Sequence, residues 1–221
     1  MNPTVDIISI GHLSRNPYWG EQEIVRPPLA TTTLIRAGES TILVDPSLPG
    51  ELLEHRLFER SGLRPERIDL VFLTSFNPTH RRGIHLFDEA RWLISEAEKT
   101  SVAEHLNGLL EQDEAGPTDM IESELQLLGR CESAPDLLRE GVHLFPCPGV
   151  TPGLAGLLVA GLQSVVITGD AVLTRDHFTH GDVGENAADK ELAIRSLGEM
   201  YEIADLIVCG HDNIATVGSG M

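Results

Sequence analysis

Residues 71–83 read VFLTSFNPTHRRG, and the fold of the chain can be worked out from this segment. The apolar run from Leu70 to Leu73 ends abruptly in small and polar residues. Such a pattern is typical of a buried strand that delivers a loop at its carboxyl end, where open α/β folds place their sites. The segment therefore predicts a buried strand followed by a functional loop.

The loop after this strand resembles the metal-binding loop of the metallo-β-lactamase superfamily, in which Thr-His-x-His-x-Asp-His-x-Gly-Gly follows a strand. Thr74, His80 and Gly83 match this motif. The other motif positions carry different residues, with Ser75 and Asn77 at the first two histidines, Thr79 at the aspartate and Arg82 at the first glycine. The resemblance is to a loop that keeps the spacing of the motif and has lost most of its metal ligands.

Four further segments resemble motifs of the same superfamily, and they follow in the same order along the chain. They are residues 42–46 with Ser47 for the glycine of Asp-Pro-Gly, residues 148–153 with Val150 for a ligand histidine, residues 166–170, and residues 210–212. The motifs together extend from about residue 31 to residue 212. The resemblance implies an α/β fold, the αββα sandwich of this superfamily, with a cleft at the strand ends.

The pattern of strands supports the same architecture. Residues 31–36 and 41–45 flank an Ala37-Gly38 turn as a β-hairpin, and residues 156–159 and 164–170 repeat this pattern. Strand and helix patterns alternate along the chain, which predicts a layered α/β fold. No long linker divides the sequence, so we predict one domain that comprises residues 1–221.

Helices are predicted where apolar residues recur at helical spacing. They begin after Pro49-Gly50, at the capping-box pattern of Ser95 and Glu98, and near Ala193, whereas residues 112–136 are ambiguous. Residues 16–28 are rich in proline and glycine and are predicted to form a surface loop. Its two aromatic residues could line a binding cleft, but anchoring the loop to the core is the more common role.

The composition disfavours several classes of function. The net charge of −18 argues against nucleic acid and anionic membranes as partners, because both need a basic surface. The sequence shows neither an apolar run of membrane-spanning length nor a signal-peptide pattern. Its three cysteines include no close pair, which fits a reducing cytoplasm better than disulfides. We therefore predict a cytoplasmic protein with a small-molecule partner, and the oligomeric state stays open.

The resemblance assigns the ligand positions of two metal ions, and it predicts that the first ion has been lost. That ion would lie among Ser75, Asn77 and Val150. Neutral hydroxyl and amide oxygens are poor zinc ligands, and a valine side chain is none at all. The first metal site is therefore predicted to be degraded.

The positions of the second ion keep most of their ligands. They are Thr79, His80 and His211, with Asp170 as the bridging carboxylate, and only the threonine departs from the family pattern. Two histidines and one carboxylate are a recognised set in mononuclear zinc hydrolases and iron(II) oxygenases. The alternative is a metal-free cluster in which Asp170 hydrogen-bonds both histidines. The cofactor is therefore either none or one divalent metal, zinc or alternatively iron.

Three pairs of residues near the motifs have two interpretations each: Cys147 with Cys209, Arg81 with Arg82, and His177 with His180. The cysteines could replace lost ligands, and Cys209 would share a face with His211 if both lay in a strand, but a buried structural role is more common. The arginines could take over the electrostatic work of a lost cation, or lie unremarkably on the surface. The histidines follow the Asp170 strand on a predicted polar loop, and the sequence does not decide whether they reach the cleft.

Three functions are compatible with this pattern. The leading interpretation is a pseudo-hydrolase with a degraded two-metal site that retains a small-molecule cleft. The first alternative is a mononuclear metal-dependent hydrolase of a small ester, lactone or thioester, in which His80, Asp170 and His211 hold the metal. The second alternative is a non-catalytic interaction module. Metal content separates the first alternative from the other two interpretations.

Overall fold

A computed structural model describes residues 2–111 and 118–218 of the chain. Part of the segment that the sequence left ambiguous, residues 112–117, lies outside the described residues.

The first sheet has six strands in chain order: β1 (Thr4–Ser9), β2 (Thr32–Ala37), β3 (Ser40–Val44), β4 (Leu70–Leu73), β5 (Arg91–Ile94) and β6 (Glu132–Ser133). The first three strands pair antiparallel, and β3 to β6 pair in parallel. All four residues of β4 are buried, as its continuous apolar sequence requires. The predicted strand before the loop and the first hairpin, β2–β3, are confirmed.

The second sheet also has six strands: β7 (Leu137–Arg139), β8 (Val142–Pro146), β9 (Ala155–Ala160), β10 (Ser164–Ile167), β11 (Leu206–Val208) and β12 (Ile214–Thr216). β9 and β10 pair antiparallel, which confirms the second predicted hairpin. β10 and β11 pair in parallel, so their carboxyl ends lie at the same edge of the sheet.

The helices are α1 (Gly50–Ser61), α2 (Glu96–Glu111), α3 (Thr118–Arg130), α4 (Arg175–His180) and α5 (Lys190–Ile203). α1 ends at Gly62, which adopts a left-handed conformation and donates its N–H to the carbonyl of Phe58. α2 begins after Ser95, whose hydroxyl accepts the N–H of Glu98. No described helix combines the length and the apolar character needed to cross a membrane.

Three hydrophobic clusters define the layers of the fold. The first lies between the first sheet and α1, α2 and α3, and the third lies between the second sheet and α4 and α5. The middle cluster lies between the two sheets and contains Phe72 of β4 and Leu157 of β9. Successive β4 side chains point to opposite faces, so Val71 belongs to the first cluster and Phe72 to the middle one. The predicted αββα sandwich is confirmed.

Two local predictions were wrong. The residues after Asp170 do not form a polar loop, because Thr174 caps the short helix α4 and its hydroxyl accepts the N–H of His177. Strand β11 ends at Val208, so Cys209 and His211 do not share one face of a strand as the sequence suggested. Cys209 instead packs in the third hydrophobic cluster.

Candidate metal centre

Three of the predicted site residues converge at the carboxyl ends of their strands. Nε2 of His80 lies 3.1 Å from Oδ1 of Asp170, and Nε2 of His211 lies 2.8 Å from the same oxygen. The three potential ligand atoms all lie within 4.8 Å of one another. His80 ends the 3-10 helix that follows β4, whereas Asp170 and His211 follow the parallel strands β10 and β11. Among the described residues this is the one such cluster of potential metal ligands.

The ring of His80 is held in place by a buried carboxylate that the sequence did not assign to the site. Oδ2 of Asp45 lies 2.9 Å from Nδ1 of His80 and also accepts the hydroxyl of Thr74 at 2.7 Å. Oδ1 of Asp45 accepts the backbone N–H of Thr74 at 2.9 Å. Asp45 has a φ of 50°, a left-handed conformation that aspartate tolerates better than most residues. The resemblance pointed to this aspartate, but its contact with His80 is a tertiary feature.

The ring of His211 is held by the backbone of the loop before β2. Its Nδ1 lies 2.8 Å from the carbonyl oxygen of Leu29. The two turns that carry Asp170 and His211 approach closely, because a Cβ on Gly210 would lie 2.4 Å from the carbonyl oxygen of Gly169. Glycine at position 210 therefore allows the carboxylate and the second imidazole to meet.

The hydrogen-bond acceptors around the two imidazoles require a cation in the cluster. Nδ1 of each ring faces an oxygen that can only accept, so we assign the N–H of a neutral ring to Nδ1. A neutral ring then directs the lone pair of Nε2 at the carboxylate of Asp170, which is repulsive. A second proton or a metal ion on the Nε2 side removes this repulsion.

The pKa values of the cluster agree with this requirement. Burial lowers the pKa of His80, but the carboxylates of Asp170 and Asp45 outweigh it and raise that pKa well above its usual value. Burial raises the pKa of Asp170, but His80 and His211 outweigh it and lower that pKa well below its usual value. Without a metal, these directions favour an ionised Asp170 beside a protonated His80.

The donor set fits one divalent metal. Metal-binding histidines almost always donate their other ring N–H to a carboxylate or a backbone carbonyl, and both kinds of partner are present here. Two imidazoles and one carboxylate leave an open coordination position, as in catalytic zinc sites and in some iron(II) sites.

We expect the metal-free protein to lose stability as the pH rises above about 6.5, the ordinary pKa of histidine. His80 binds its proton more tightly when folded, so its stabilising contribution is complete below that pH and vanishes above its folded pKa. The stabilising contribution of Asp170 has the opposite pH dependence. It is lost as the pH falls from about 3.9 through the folded pKa of Asp170.

Urea unfolding in chelator over a pH series measures this dependence, and His80→Gln should flatten the decline above about pH 6.5. Excess zinc should reverse that decline, because metal binding requires neutral imidazoles. Stability that rises with pH in the presence of chelator would show that the folded His80 is not protonated.

Four positions that carry metal ligands in the motifs of the superfamily hold other residues in this chain, and the structure places them outside the metal centre. They are Ser75, Asn77, Thr79 and Val150. Ser75 is buried, and Oδ1 of Asn77 accepts the N–H of Thr79 at 2.9 Å and so caps the 3-10 helix. Val150 is half-buried and packs against the third hydrophobic cluster. These residues support the loops in which they lie.

A buried carboxylate links the two loops that contain these positions. Glu98 is 2 % exposed, and its two oxygens accept the N–H of Phe76 at 3.1 Å and the hydroxyl of Thr151 at 2.5 Å. A Cβ on Gly153 would lie 1.9 Å from the backbone nitrogen of Glu98, so this second loop fits against α2 only with glycine there. The sequence suggested a capping role for Glu98 and missed this link.

The surroundings of Arg81 indicate a structural role and do not place it in the His80–Asp170–His211 cluster. It is buried, its Nε donates to the carbonyl of Phe76 at 2.8 Å, and its guanidinium lies 4.1 Å from the centre of the Phe76 ring. It also pairs with Glu124 of α3. Arg82 is exposed. Arg81 therefore fastens α3 to the loop after β4, which argues against the hypothesis that it replaces a lost cation.

The two candidate cysteines are buried thiols. Burial raises the pKa of Cys147 and that of Cys209 to about 12 each, which disfavours the thiolate form that binds metals. Both pack in the third hydrophobic cluster and lie outside the His80–Asp170–His211 group. Their surroundings fit the structural role.

The two histidines of α4 contact the loop that the sequence placed at residues 16–28. The Tyr18 ring stacks on His180 with the ring centres 4.6 Å apart and meets His177 edge-on at 4.9 Å. The hydroxyl of Tyr18 donates to Asp182, and the indole N–H of Trp19 donates to Asp176. The aromatic pair therefore holds this loop against α4 and its flank, rather than against the core.

Comparison with known families agrees with this geometry. Residues 25–211 match the metallo-beta-lactamase superfamily. No curated protein sequence matches the chain significantly.

Several solved structures share the fold at low sequence identity. AidC, a dizinc quorum-quenching lactonase, is 19% identical with a TM-score of 0.66, over 85% of this chain and 74% of its own. An N-acyl homoserine lactone hydrolase with N-hexanoyl-L-homoserine at its catalytic metal centre is 20% identical with a TM-score of 0.66, over 96% and 94%. AbOPH, a hydrolase in the beta lactamase superfamily, is 17% identical with a TM-score of 0.66, over 99% and 94%. At these identities the likeness concerns the fold.

Proposed function

Because the chain belongs to the metallo-beta-lactamase superfamily, we propose that it is a hydrolase that uses one divalent metal ion held by His80, Asp170 and His211. One observation carries this proposal: both imidazoles are anchored through Nδ1, and both direct Nε2 at the same carboxylate oxygen. This arrangement favours the metal-dependent alternative over the pseudo-hydrolase that the sequence placed first.

The residues of the centre have distinct tasks in this proposal. When bound, a zinc or iron(II) ion supplies Lewis acidity and lowers the pKa of water toward neutrality. His80 and His211 offer Nε2 as neutral ligands, while Asp45 and the Leu29 carbonyl fix their orientation. Asp170 stays ionised because its pKa is well below the usual value.

We propose small esters, lactones or thioesters as the substrates. The named lactonases and hydrolases of the same fold support this class, although fold alone does not choose among its members. A cytoplasmic location and a lack of nucleic-acid or membrane partners remain predictions from the cysteines and the net charge.

A substrate panel tests the proposal. Protein loaded with zinc or iron(II) is expected to hydrolyse at least one ester, lactone or thioester, and chelator should abolish this activity. His211→Ala should lower the rate by more than about 100-fold, because three protein ligands are the minimum for such a site. The matched control is His105→Ala, which removes an exposed histidine of α2 and should leave the rate unchanged.

Two other outcomes would redirect the proposal. A protein that binds one metal and hydrolyses nothing in the panel would be the pseudo-hydrolase, whose supporting observation is the structural environment of Asn77 and Val150. A folded protein that binds no metal would be the non-catalytic module.

A further inference from the structure

Helix α5 has a buried face and an exposed face. Ala193, Leu197 and Met200 pack in the third hydrophobic cluster. The exposed face carries Ile194, Arg195, Gly198, Tyr201 and Glu202. Because the helix turns once every 3.6 residues, positions 194 and 201 both lie beside position 198, and so do positions 195 and 202. Gly198 is therefore the centre of a face with an apolar row on one side and a charged row on the other.

The apolar row is formed by Ile194 and Tyr201, which are 53 % and 41 % exposed. The ring of Tyr201 is fixed on α4, because it stacks on Phe178 with the ring centres 4.2 Å apart and its hydroxyl donates to the carbonyl of Phe178. A fixed aromatic ring loses little conformational freedom when a partner packs on it. The apolar row is therefore a preformed contact surface.

The charged row is formed by Arg195 and Glu202, which are both exposed and lie two helical turns apart. The ion pairs formed by the arginines of the described residues do not include either side chain. Arg195 stays unpaired although Glu191 and Glu199 lie four positions before and after it. The row thus offers one cation and one anion, about 10 Å apart along the helix axis, to a molecule outside the chain.

Nothing around position 198 within the chain requires a glycine. The residue lies inside the helix without a positive φ, and a Cβ placed on it would meet no atom within 4 Å. Glycine is the poorest helix former apart from proline. Packed helices lie about 8–10 Å apart, and the separation depends on the side chains at the contact. A glycine at the centre of an exposed face therefore allows the backbone of a second helix to come close.

We propose that α5 forms the interface of a dimer of this chain, in which two copies of the helix pack antiparallel about a two-fold axis between their Gly198 residues. Such an axis brings each position opposite the position nearly equally far from the centre in the other direction. Ile194 then meets Tyr201 of the partner subunit, and Arg195 meets Glu202 of the partner subunit. Each contact occurs twice, so the face is complementary to its own copy.

The order of the charges selects this orientation of the two copies. In a parallel pair Arg195 would face Arg195 of the partner subunit, and Glu202 would face Glu202 of the partner subunit, which is repulsive. The antiparallel pair brings unlike charges together at both places. A second copy therefore supplies the anion and the cation that the charged row lacks within its own chain.

The dimer is expected to be weak. Two helices of 14 residues can bury only part of the about 1,600 Å² of a standard protein interface. The net charge of −18 on each copy also opposes association. None of the five residues of the face belongs to the His80–Asp170–His211 cluster, so the dimer and the proposed hydrolase activity are independent of each other.

Sedimentation velocity of the full chain measures this equilibrium, and we expect a shift from monomer to dimer between about 10 µM and about 1 mM. Arg195→Glu should raise the Kd of the dimer at least about tenfold, because it sets like charges against each other twice. Glu202→Arg should have the same effect. The double variant that combines both changes swaps the two charges and should restore association, because unlike charges meet again.

Gly198→Gln tests the close approach of the two helices. Glutamine is a good helix former and has free space here within its own chain, so the dilute variant should unfold at a higher temperature than the unchanged protein. It should nevertheless raise the Kd of the dimer at least about tenfold, because its side chain occupies the space of the second backbone. The matched control, Arg60→Glu, reverses an exposed arginine of α1 and should leave the Kd unchanged.

A chain that stays monomeric at about 1 mM would overturn the proposal. So would a dimer whose Kd neither Arg195→Glu nor Gly198→Gln changes, since that dimer would use another surface. A charge-swapped double variant that is folded by circular dichroism and does not associate would contradict the antiparallel pairing.

Discussion

Titrated with zinc, the protein is expected to bind one ion per chain in the cleft and never two. His80, Asp170 and His211 offer one converging set of ligand atoms. The other ion of the superfamily would need ligands at positions that hold Ser75 and Val150, which cannot supply them. Calorimetry and elemental analysis of protein purified without chelator or affinity nickel measure this stoichiometry.

The same experiment identifies the ligands. His211→Ala and Asp170→Ala should each abolish tight binding, because each leaves two protein ligands where at least three are needed. The exposed histidine variant His105→Ala should still bind one ion. Two tight sites, both lost in Asp170→Ala, would contradict our account of the degraded loop.

Replacing Asp45 with alanine is expected to destabilise the metal-free protein by about 3–5 kcal/mol, the cost of removing one partner from a buried ionic pair. Asp45 is 2 % exposed and accepts hydrogen bonds from Thr74 and His80. The variant should also bind zinc about 10–100-fold more weakly, because the ring of His80 loses the group that orients it. Urea denaturation in chelator and zinc titration measure the two effects.

Two control variants separate the effect of losing the Asp45 charge from the effects of backbone strain and of solvent exposure. Asp45→Asn keeps a residue that tolerates the left-handed φ of 50°, so its loss of stability reports the missing charge. Asp69→Ala removes an exposed carboxylate that accepts the N–H of Thr41, and should cost about 1 kcal/mol or less. If Asp45→Ala were no more damaging than Asp69→Ala, Asp45 would not be the anchor of His80.

The fold was predictable because its signals are local. The apolar run at β4, the Ala37-Gly38 turn and the glycine after α1 each act through neighbouring residues, by strand burial, turn geometry and left-handed capping. The order of the motifs then predicted the sandwich. The same motifs predicted that His80, Asp170 and His211 would converge, and the structure brings them together.

The features that the sequence failed to predict lie where local sequence signals conflict or are absent. The short helix α4 depends on the cap from Thr174, and its polar sequence has no hydrophobic period long enough to predict a helix. For Arg81 the sequence left two interpretations open, a replacement for a lost cation and a surface charge, yet the residue is buried against Glu124 and the ring of Phe76. Neither contact can be seen from the residues next to it.

The sequence alone determined the layers of the fold and which three side chains could hold a metal. Only the tertiary structure decided how those side chains are oriented. Asp45 is 35 positions away from His80, and the carbonyl of Leu29 is 182 positions away from His211. Every residue has a backbone carbonyl, so an acceptor of this kind leaves no trace in the sequence. The direction of both imidazoles, and therefore the demand for a cation between them, arises from contacts that exist only after the chain has folded.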